Sequence, residues 1–376
     1  MAWRIAKVKQ QRIEFVVAVN RKQSSLSRLC QEFGISRPTG YRWWRRYQQA
    51  GVAGIEERSR RPQHSPGRTA AELEQRVVEL RWQRPDWGAR KIQCLLEREN
   101  VRLPAGTIHR ILLRHDLVRE ADRHEPAVQR FERAAPNELW QMDFKGPKGW
   151  DAAVGPLSVL DDHSRYAVAL QATGDTREES VRDTLTATFQ ACGVPEAMLM
   201  DHGCPWWNGQ GERGWTRLTV WLMKQDIGLH FGRYRHPQTQ GKVERLHRSL
   251  TAALLRRGKP VVERRQVWLD EFRYEYNWVR PHQALGMKTP SRLWRESARR
   301  YQPSPAPWAY PAGWETVEVT RYGQIRVEGR YYWVSGALGG EQVGVIEAEG
   351  RLLIYFRRTL VQELDLEAGG ASRERV

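Results

Sequence analysis

The stretch HPQTQGKVER, residues 236–245, is where a loop gives way to a helix. A proline and a glycine bracket the loop. The apolar residues that follow have the spacing of one buried helical face: Val243, Leu246, Leu250 and Leu254. Glu244 lies beside that face, so the pattern predicts a carboxylate at the edge of a core, close to the start of the helix.

Two further carboxylates stand in apolar, strand-like segments upstream. Asp143 lies within LWQMDF, residues 139–144, and Asp201 ends AMLMD, residues 197–201. Burying an unpaired charge in such a place is costly. Three acids on two strands and one helix therefore predict a shared site for divalent metal. The alternative, that they are unrelated surface charges, does not explain their positions in apolar runs.

Together, LWQMDF, LMDHG and HPQTQGKVER resemble the Asp…Asp…Glu signature of insertion-sequence transposases that have a retroviral-integrase-type catalytic core. The resemblance spans about Leu139 to Trp294. It departs from the family pattern in two places. Asp201 and Glu244 lie 43 positions apart, longer than the commonest family spacing, which implies an inserted loop within residues 203–216. His202 stands where many relatives have Asn, which puts the role of that Asn in question.

The resemblance implies a ribonuclease-H-like core in which Asp143, Asp201 and Glu244 are both catalytic residues and metal ligands. Two Mg²⁺ ions are expected, with Mn²⁺ able to substitute, because hard cations prefer oxygen ligands. In the family's arrangement Asp143 would bridge both ions, with Asp201 on one and Glu244 on the other. Such a site carries out phosphoryl transfer on DNA.

The net charge of +17 is concentrated in the front third of the 376 residues. Residues 1–134 hold 28 Lys and Arg against 15 Asp and Glu, whereas the remainder holds 33 against 29. This asymmetry favours a polyanionic partner there, namely double-stranded DNA. A general arginine bias of the proteome is the alternative, and it does not explain the asymmetry.

Composition also bounds the class of protein. An apolar content of 40% suffices for folded cores, and the length allows two to four domains. No run of eighteen apolar residues exists, and residues 1–10 lack an apolar signal segment, so neither a membrane partner nor secretion is predicted. The four cysteines are scattered without a C-x-x-C pair, which fits a reducing compartment. We expect a cytoplasmic bacterial protein associated with the nucleoid.

Residues 1–57 predict a first helix-turn-helix domain. Helices are expected over Arg12–Asn20, over a short segment stopped by Gly34, and over Arg37–Gln49. A tight glycine turn followed by a basic, aromatic helix suits the major groove of DNA, although a three-helix protein-contact module is the alternative. The candidate DNA contacts surround Trp44, which is expected to be buried: Arg37, Thr39, Arg42, Trp43, Arg45 and Arg46.

Residues 58–68 are predicted to form a basic linker. Its Arg60 and Arg61 are expected either to contact DNA phosphates or to lie in a minor groove. A solvated spacer is an equal alternative. Residues 69–133 predict a second helix-turn-helix domain, with helices over 69–83, from Trp87, and over 107–115. Its candidate DNA contacts are Thr107, His109 and Arg110, and a packed spacer helix would look similar.

Residues 134–300 predict the α/β core, because a hairpin followed by helix-linked strands gives a mixed sheet flanked by helices. Asp161 and Asp162, in the hairpin turn, are expected to cap backbone amides. Lys242 and Arg248 are candidate DNA contacts beside Glu244. For Arg248, an ion pair with Glu244 one helical turn away is the alternative.

A proline-rich linker, residues 301–313, leads into residues 314–368, whose short strands and glycine turns predict a small β-barrel of about five strands. Either DNA contact or protein assembly suits this domain. The fold class is therefore multidomain, with N-terminal all-α helix-turn-helix modules, a central α/β ribonuclease-H-like integrase core and a C-terminal β-barrel.

The sequence thus favours a transposase that binds the terminal inverted repeats of an insertion sequence, cuts at each end, and uses the freed 3′-OH to attack target DNA. Because two ends must be held together, a homo-oligomer on DNA is expected. Two alternatives remain open. One is a metal-dependent nuclease that lacks strand transfer, and the other is a DNA-binding regulator with an inert core.

Overall fold

The computed structural model describes residues 5–57, 67–118, 132–147, 149–150, 152–209, 214–232 and 241–365. The chain divides into two compact units, Met1–Thr69 and Ala70–Val376. None of the helices in these described ranges is both long enough and apolar enough to cross a membrane.

The first unit contains helices α1 (Ile5–Asn20), α2 (Leu26–Glu32) and α3 (Arg37–Ala50), followed by a 3₁₀ turn. The Ser25 hydroxyl accepts a hydrogen bond from the Arg28 N–H at 3.3 Å and so caps α2. The three expected helices are present, and α1 begins earlier than the sequence pattern predicted. Their buried core consists of Phe15, Val16, Ala18, Leu29, Cys30, Trp43 and Ile55.

Helix α3 corrects one prediction. Trp43 is only 8% exposed and belongs to the core, whereas Trp44 is half-buried. The prediction that Trp44 is buried while Trp43 contacts DNA is therefore wrong. Gly40, one turn before Trp43, allows α3 to pack closely against α1 and α2. A Cβ at Gly40 would meet the Cys30 Sγ and would lie 3.0 Å from the Phe15 ring.

The second unit begins with a second three-helix domain: α4 (Ala71–Gln83), α5 (Ala89–Arg98) and α6 (Ala105–Arg114). Glu74 of α4 is almost fully buried, and it joins α4 to the end of α6 through Arg114 at 3.1 Å and His115 at 3.0 Å. The core of this domain includes Val77, Leu80, Trp87, Ile92, Leu96, Ile108 and Ile111.

A five-stranded sheet forms the centre of the second unit. Its strands are β1 (Trp140–Phe144), β2 (Leu157–Asp161), β3 (Ala167–Gln171), β4 (Ala197–Met200) and β5 (Gly228–Phe231), in the order β3-β2-β1-β4-β5. The first three pair antiparallel, whereas β4 pairs parallel with both β1 and β5. The predicted mixed sheet is confirmed. Helices α7 (Glu178–Cys192) and α8 (Arg217–Lys224) connect the strands.

Helices α9 (Gly241–Arg257) and α10 (Arg265–Tyr274) pack on this sheet. All four apolar residues of the predicted α9 stripe are buried. The segment after α10 is a π-helical turn, Glu275–Val279. Within that turn the Asn277 amide holds the edge of β3, because it accepts from the Ala167 N–H at 2.8 Å and donates to the Ala167 carbonyl at 3.0 Å.

The C-terminal strands are β6 (Glu315–Glu318), β7 (Gln324–Val327), β8 (Arg330–Trp333), β9 (Gln342–Ala348), β10 (Arg351–Phe356) and β11 (Thr359–Asp365). Among the described residues they form an open four-stranded sheet, β11-β10-β9-β6, and a separate β7-β8 hairpin. The predicted β-barrel is therefore wrong. The apolar residues of these strands pack against Val220 and Met223 of α8 and against Trp215, whose indole N–H donates to the Val361 carbonyl at 2.9 Å.

Candidate active site and nucleic-acid surfaces

The three candidate acids lie on adjoining elements of the second unit. Asp143 is near the end of β1, Asp201 directly follows β4, and Glu244 is in the first turn of α9. Because β1 and β4 are parallel neighbours, their carboxyl ends meet at one edge of the sheet. The Val243 N–H donates to the Gln141 side chain at 3.3 Å, which ties the start of α9 to β1.

The electrostatics of Asp143 couple it to the other two acids. Burial, together with the nearby carboxylates of Asp201 and Glu244, raises the pKa of Asp143 to about 7. The anion is therefore unfavourable here, and a cation would stabilise it. As the side chains lie, no group of three His, Cys, Asp or Glu in the described ranges is close enough to hold a metal ion. The donor set and its charge nevertheless fit Mg²⁺, which prefers carboxylate oxygens.

Asp201 is oriented by the loop that follows it. The Gly203 N–H and the Trp206 indole N–H donate to the same Asp201 oxygen, Oδ1, at 2.9 and 2.7 Å. A Cβ at Gly203 would lie 2.8 Å from that oxygen, so the approach requires glycine. Trp206 is itself buried and stacks on Phe144 of β1, with ring centroids 5.5 Å apart. Sequence reasoning missed this support, although the inserted loop and its paired tryptophans were the available signal.

A histidine of α9 lies beside Asp143. The His247 Nδ1 is 3.7 Å from Asp143 Oδ2, and its Nε2 is 2.9 Å from the Ser158 hydroxyl. Burial, and secondarily the charge of Lys145, lowers the pKa of His247 to about 4. The imidazole is thus neutral at pH 7, and it contributes a hydrogen-bonding contact rather than an ion pair.

Lys242 joins α9 to the hairpin turn. Its ammonium is 2.5 Å from an oxygen of Asp162, which is fully buried and also accepts from the Gln141 amide at 2.8 Å. Since Gln141 accepts from the first turn of α9, one network of side chains fixes the helix that carries Glu244. Lys242 therefore has a structural partner in addition to its predicted contact with DNA.

The expectation that the two turn carboxylates cap backbone amides is confirmed. Asp161 accepts from the N–H groups of Asn137 and Ser164 at 2.8 and 2.7 Å. Asp162 accepts from the Arg133 N–H at 2.9 Å. Through these hydrogen bonds, both acids connect the hairpin turn to the segment that leads into β1.

The candidate DNA contacts of the first unit lie mostly on its surface. Arg37, Arg42 and Arg45 are exposed, whereas Thr39 and Arg46 are half-buried. The guanidinium groups of Arg42 and Arg46 lie 5.8 and 5.0 Å from the centre of the Trp43 ring, so the buried tryptophan supports their stems. Arg60 and Arg61 lie outside the described residues.

On α6, His109 and Arg110 are exposed and Thr107 is half-buried, with Arg110 donating to the Thr107 hydroxyl at 3.2 Å. On α9, Arg248 is exposed, and no ion pair joins it to Glu244, although both side chains are described. The ion-pair alternative for Arg248 is thus not found, and its contact with DNA stays a prediction.

Comparison with known proteins finds matches in both the helical front of the chain and the core that carries the acids. Family models match a helix-turn-helix domain over residues 11–63, a homeodomain-like domain over 39–112, and an integrase core domain over 133–237 and again over 225–290. The first two cover the helical front of the chain. The integrase core matches include Asp143 and Asp201 in one segment and Glu244 in the other.

Two curated relatives are similar over much of the chain. A protein of insertion element IS407 from Burkholderia multivorans, described as an uncharacterized 31.7 kDa protein, is 26% identical over 246 residues, which are 63% of this chain and 85% of that protein. The transposase for transposon Tn552 from Staphylococcus aureus is 23% identical over 271 residues, 62% of this chain. The match spans 53% of the Tn552 transposase, about half its length.

Solved structures that align with parts of the chain include viral integrases. A simian T-cell lymphotropic virus intasome in complex with PP2A regulatory subunit B56 gamma aligns with a TM-score of 0.38 and 15% identity, over 77% of this chain and 96% of that chain. The HTLV-2 integrase catalytic core domain in complex with magnesium aligns with a TM-score of 0.32 and 14% identity, over 43% and 97%.

The helix-turn-helix and integrase core matches and the two relatives agree with the motifs of the three acids. The chain thus carries helix-turn-helix and integrase core domains, and it is similar to a protein of an insertion element and to the transposase of a transposon.

Proposed function

We propose that the chain is a DDE transposase that binds the terminal inverted repeats of its own element, cuts a DNA strand at each end, and joins the freed 3′-OH to target DNA. The observation that carries this proposal is Asp143, a half-buried carboxylate destabilised by two other acids that come from different elements. Neighbouring like charges oppose folding, so this arrangement does not stabilise the fold. It suits a site that binds cations.

The chain's own residues have separate tasks in this mechanism. Asp143, Asp201 and Glu244 would hold two Mg²⁺ ions, for which Mn²⁺ can substitute, and these would cancel charge on the phosphoryl group and favour attack by water or the 3′-OH. Gly203 and Trp206 fix the orientation of Asp201. Asp162 and Lys242 fix the start of the helix that carries Glu244. The exposed arginines of α3 bind the repeat, and a homo-oligomer holds two ends together.

The experiment uses the full chain, Mg²⁺, and DNA containing the sequences that flank its own gene. We expect strand breaks at the element ends and joined products when target DNA is added. Asp143→Asn should abolish both reactions while repeat binding is retained, since the front domains bind DNA. Asp270→Asn is the matched control, because Asp270 is an exposed acid of α10, and it should cut normally.

The possible outcomes separate the alternatives. Breaks without joined products identify a metal-dependent nuclease. Binding without any breaks identifies a DNA-binding regulator with an inert core. If Asp143→Asn cuts at a rate near that of the unsubstituted protein, the assignment of the acids fails.

A further inference from the structure

The second three-helix domain meets the catalytic core along a seam of charged side chains. Asp86, between α4 and α5, lies 2.6 Å from Arg280 and 3.6 Å from Arg256. Glu275 of the π turn lies 3.0 Å from Arg256 and also contacts Arg257. We call this set the seam: Arg84, Asp86, Arg98, Arg256, Arg257, Glu275 and Arg280.

Positive charge is in excess within the seam, because five arginines share two carboxylates. Arg84 has no carboxylate within hydrogen-bond distance among the described residues. Its Nε is 3.9 Å from Glu275, too far for a hydrogen bond, and this Nε is buried with no acceptor among the described residues. One Arg84 guanidinium nitrogen reaches the Gln83 side chain at 3.2 Å. Burial and the charge of Arg256 lower the pKa of Arg84, and the same two causes lower the pKa of Arg257.

A cavity of about 470 Å³ opens at this excess of charge. Arg84 lines it from the helical domain, and Arg257 lines it from the core. Of the two carboxylates in its wall, Glu275 is shared by Arg256 and Arg257, and the exposed Glu271 lies near Arg257. The five arginines of the seam still outnumber these carboxylates and Asp86. Tyr274, which is 63% exposed, completes the rim. The cavity therefore presents two guanidinium groups to solvent, one from each domain.

We propose that the seam binds a phosphate of the DNA backbone between Arg84 and Arg257. This inference rests on the proposed function, since it assumes that DNA passes from the helical domain to the acids. A phosphodiester supplies acceptor oxygens to the guanidinium nitrogens that face the cavity, and guanidinium groups match phosphate geometry. Because one arginine comes from each domain, the bound phosphate stabilises the docked arrangement. Such a contact positions DNA without reading its sequence.

The test measures DNA affinity against salt for full-length chains that all carry Asp143→Asn, so that the DNA stays uncut. Arg84→Gln and Arg257→Gln should each reduce the slope of log K against log salt by about 1, and should weaken repeat and random duplexes by the same factor. Arg264→Gln is the control for loss of charge. Arg264 is exposed just before α10, about 10 Å of helix away from Glu271, the nearest cavity residue on that helix. The proposal is wrong if Arg84→Gln and Arg257→Gln leave the slope unchanged. It is also wrong if they reduce the slope no more than Arg264→Gln does.

A second measurement distinguishes DNA from free phosphate and checks folding. The unfolding temperature in chloride should be nearly the same for all variants, and Arg84→Lys, which retains the charge, should retain most of the slope. Inorganic phosphate at equal ionic strength should raise the unfolding temperature of the unsubstituted chain more than that of Arg84→Gln. An increase with phosphate alongside an unchanged DNA slope identifies a site for a small anion and overturns the proposal. If the slope changes as expected but the chain that retains Asp143 makes no strand breaks with Mg²⁺, the seam is retained and the proposed catalysis is wrong.

Discussion

The two three-helix domains have the same sequence signature and different surroundings. In the first, the basic side chains of α3 are mostly exposed, and two of them rest on the buried Trp43 ring. In the second, Glu74 binds Arg114, and Val279 of the catalytic core packs onto the domain's own apolar cluster. A helical pattern and a basic charge therefore do not distinguish a domain with an exposed basic helix from one that packs on the integrase core.

The largest changes in the free energy of unfolding should come from substituting the buried tryptophans. These substitutions test whether the two domains unfold separately. Trp43→Ala should destabilise the first unit, and Trp87→Ala the second, each by about 3–5 kcal/mol, because each removes a large buried side chain. Calorimetry or hydrogen exchange on the full chain should show that each substitution lowers the stability of a different unfolding transition. If both substitutions lower the same transition, the division into two units is wrong in solution.

The next prediction asks which domain reads the repeat. An arginine that pairs with guanine contributes about 1–3 kcal/mol of discrimination, whereas phosphate contacts weaken all sequences alike. Arg42 lies early on α3, so Arg42→Ala should relax the preference for repeat DNA over random DNA. Arg46→Ala should weaken both together and flatten the salt dependence. Dissociation constants for the two DNAs at two salt concentrations measure this difference.

An unchanged ratio of repeat to random binding for Arg42→Ala would transfer the reading role to α6. In that case Arg110→Ala, on the exposed face of α6, should reduce the ratio instead. The comparison between the domains would then be reversed, because the domain docked on the core would be the reader.

Two glycines give the smallest expected effects, of opposite sign. Gly40→Ala should destabilise the first unit by about 1–3 kcal/mol, because the added methyl group would meet Cys30 and Phe15. Gly106 lies in α6 with nothing within 4 Å of an added Cβ, so Gly106→Ala should stabilise the second domain by about 0.5–1 kcal/mol. Chemical denaturation measures both changes in the free energy of unfolding. If both substitutions stabilised the chain, the packing described for α3 would be contradicted.

Local sequence patterns predicted the elements that carry the acids. The apolar run around Asp143, the strand that ends at Asp201 and the stripe of α9 are each set by residues close in sequence, and the mixed sheet followed from their order. Trp43 and Trp44 could not be assigned by the same means. Adjacent helical positions differ by about 100° around the axis, and the closeness of α1 and α2 decides which one is buried.

Other features depend on contacts between distant residues. The sequence gives no sign that Lys242 meets Asp162 or that Arg280 meets Asp86, because these pairs are 80 and 194 positions apart. The expected barrel failed for the same reason. Its strands were recognisable, but α8, a helix of the preceding domain, packs on their apolar face, which periodicity within residues 314–368 does not reveal.

The position of helix α8 affects how the chain folds during its synthesis. Every residue from Leu218 to Met223 is buried, because Leu218, Trp221 and Leu222 pack in the central core while Val220 and Met223 pack against the C-terminal strands. About 140 residues separate Met223 from the end of β11. At ribosomal speeds of about 5–20 residues per second, one apolar face of α8 stays uncovered for roughly seven to thirty seconds during synthesis. Chaperone dependence during synthesis should therefore be concentrated in this interval.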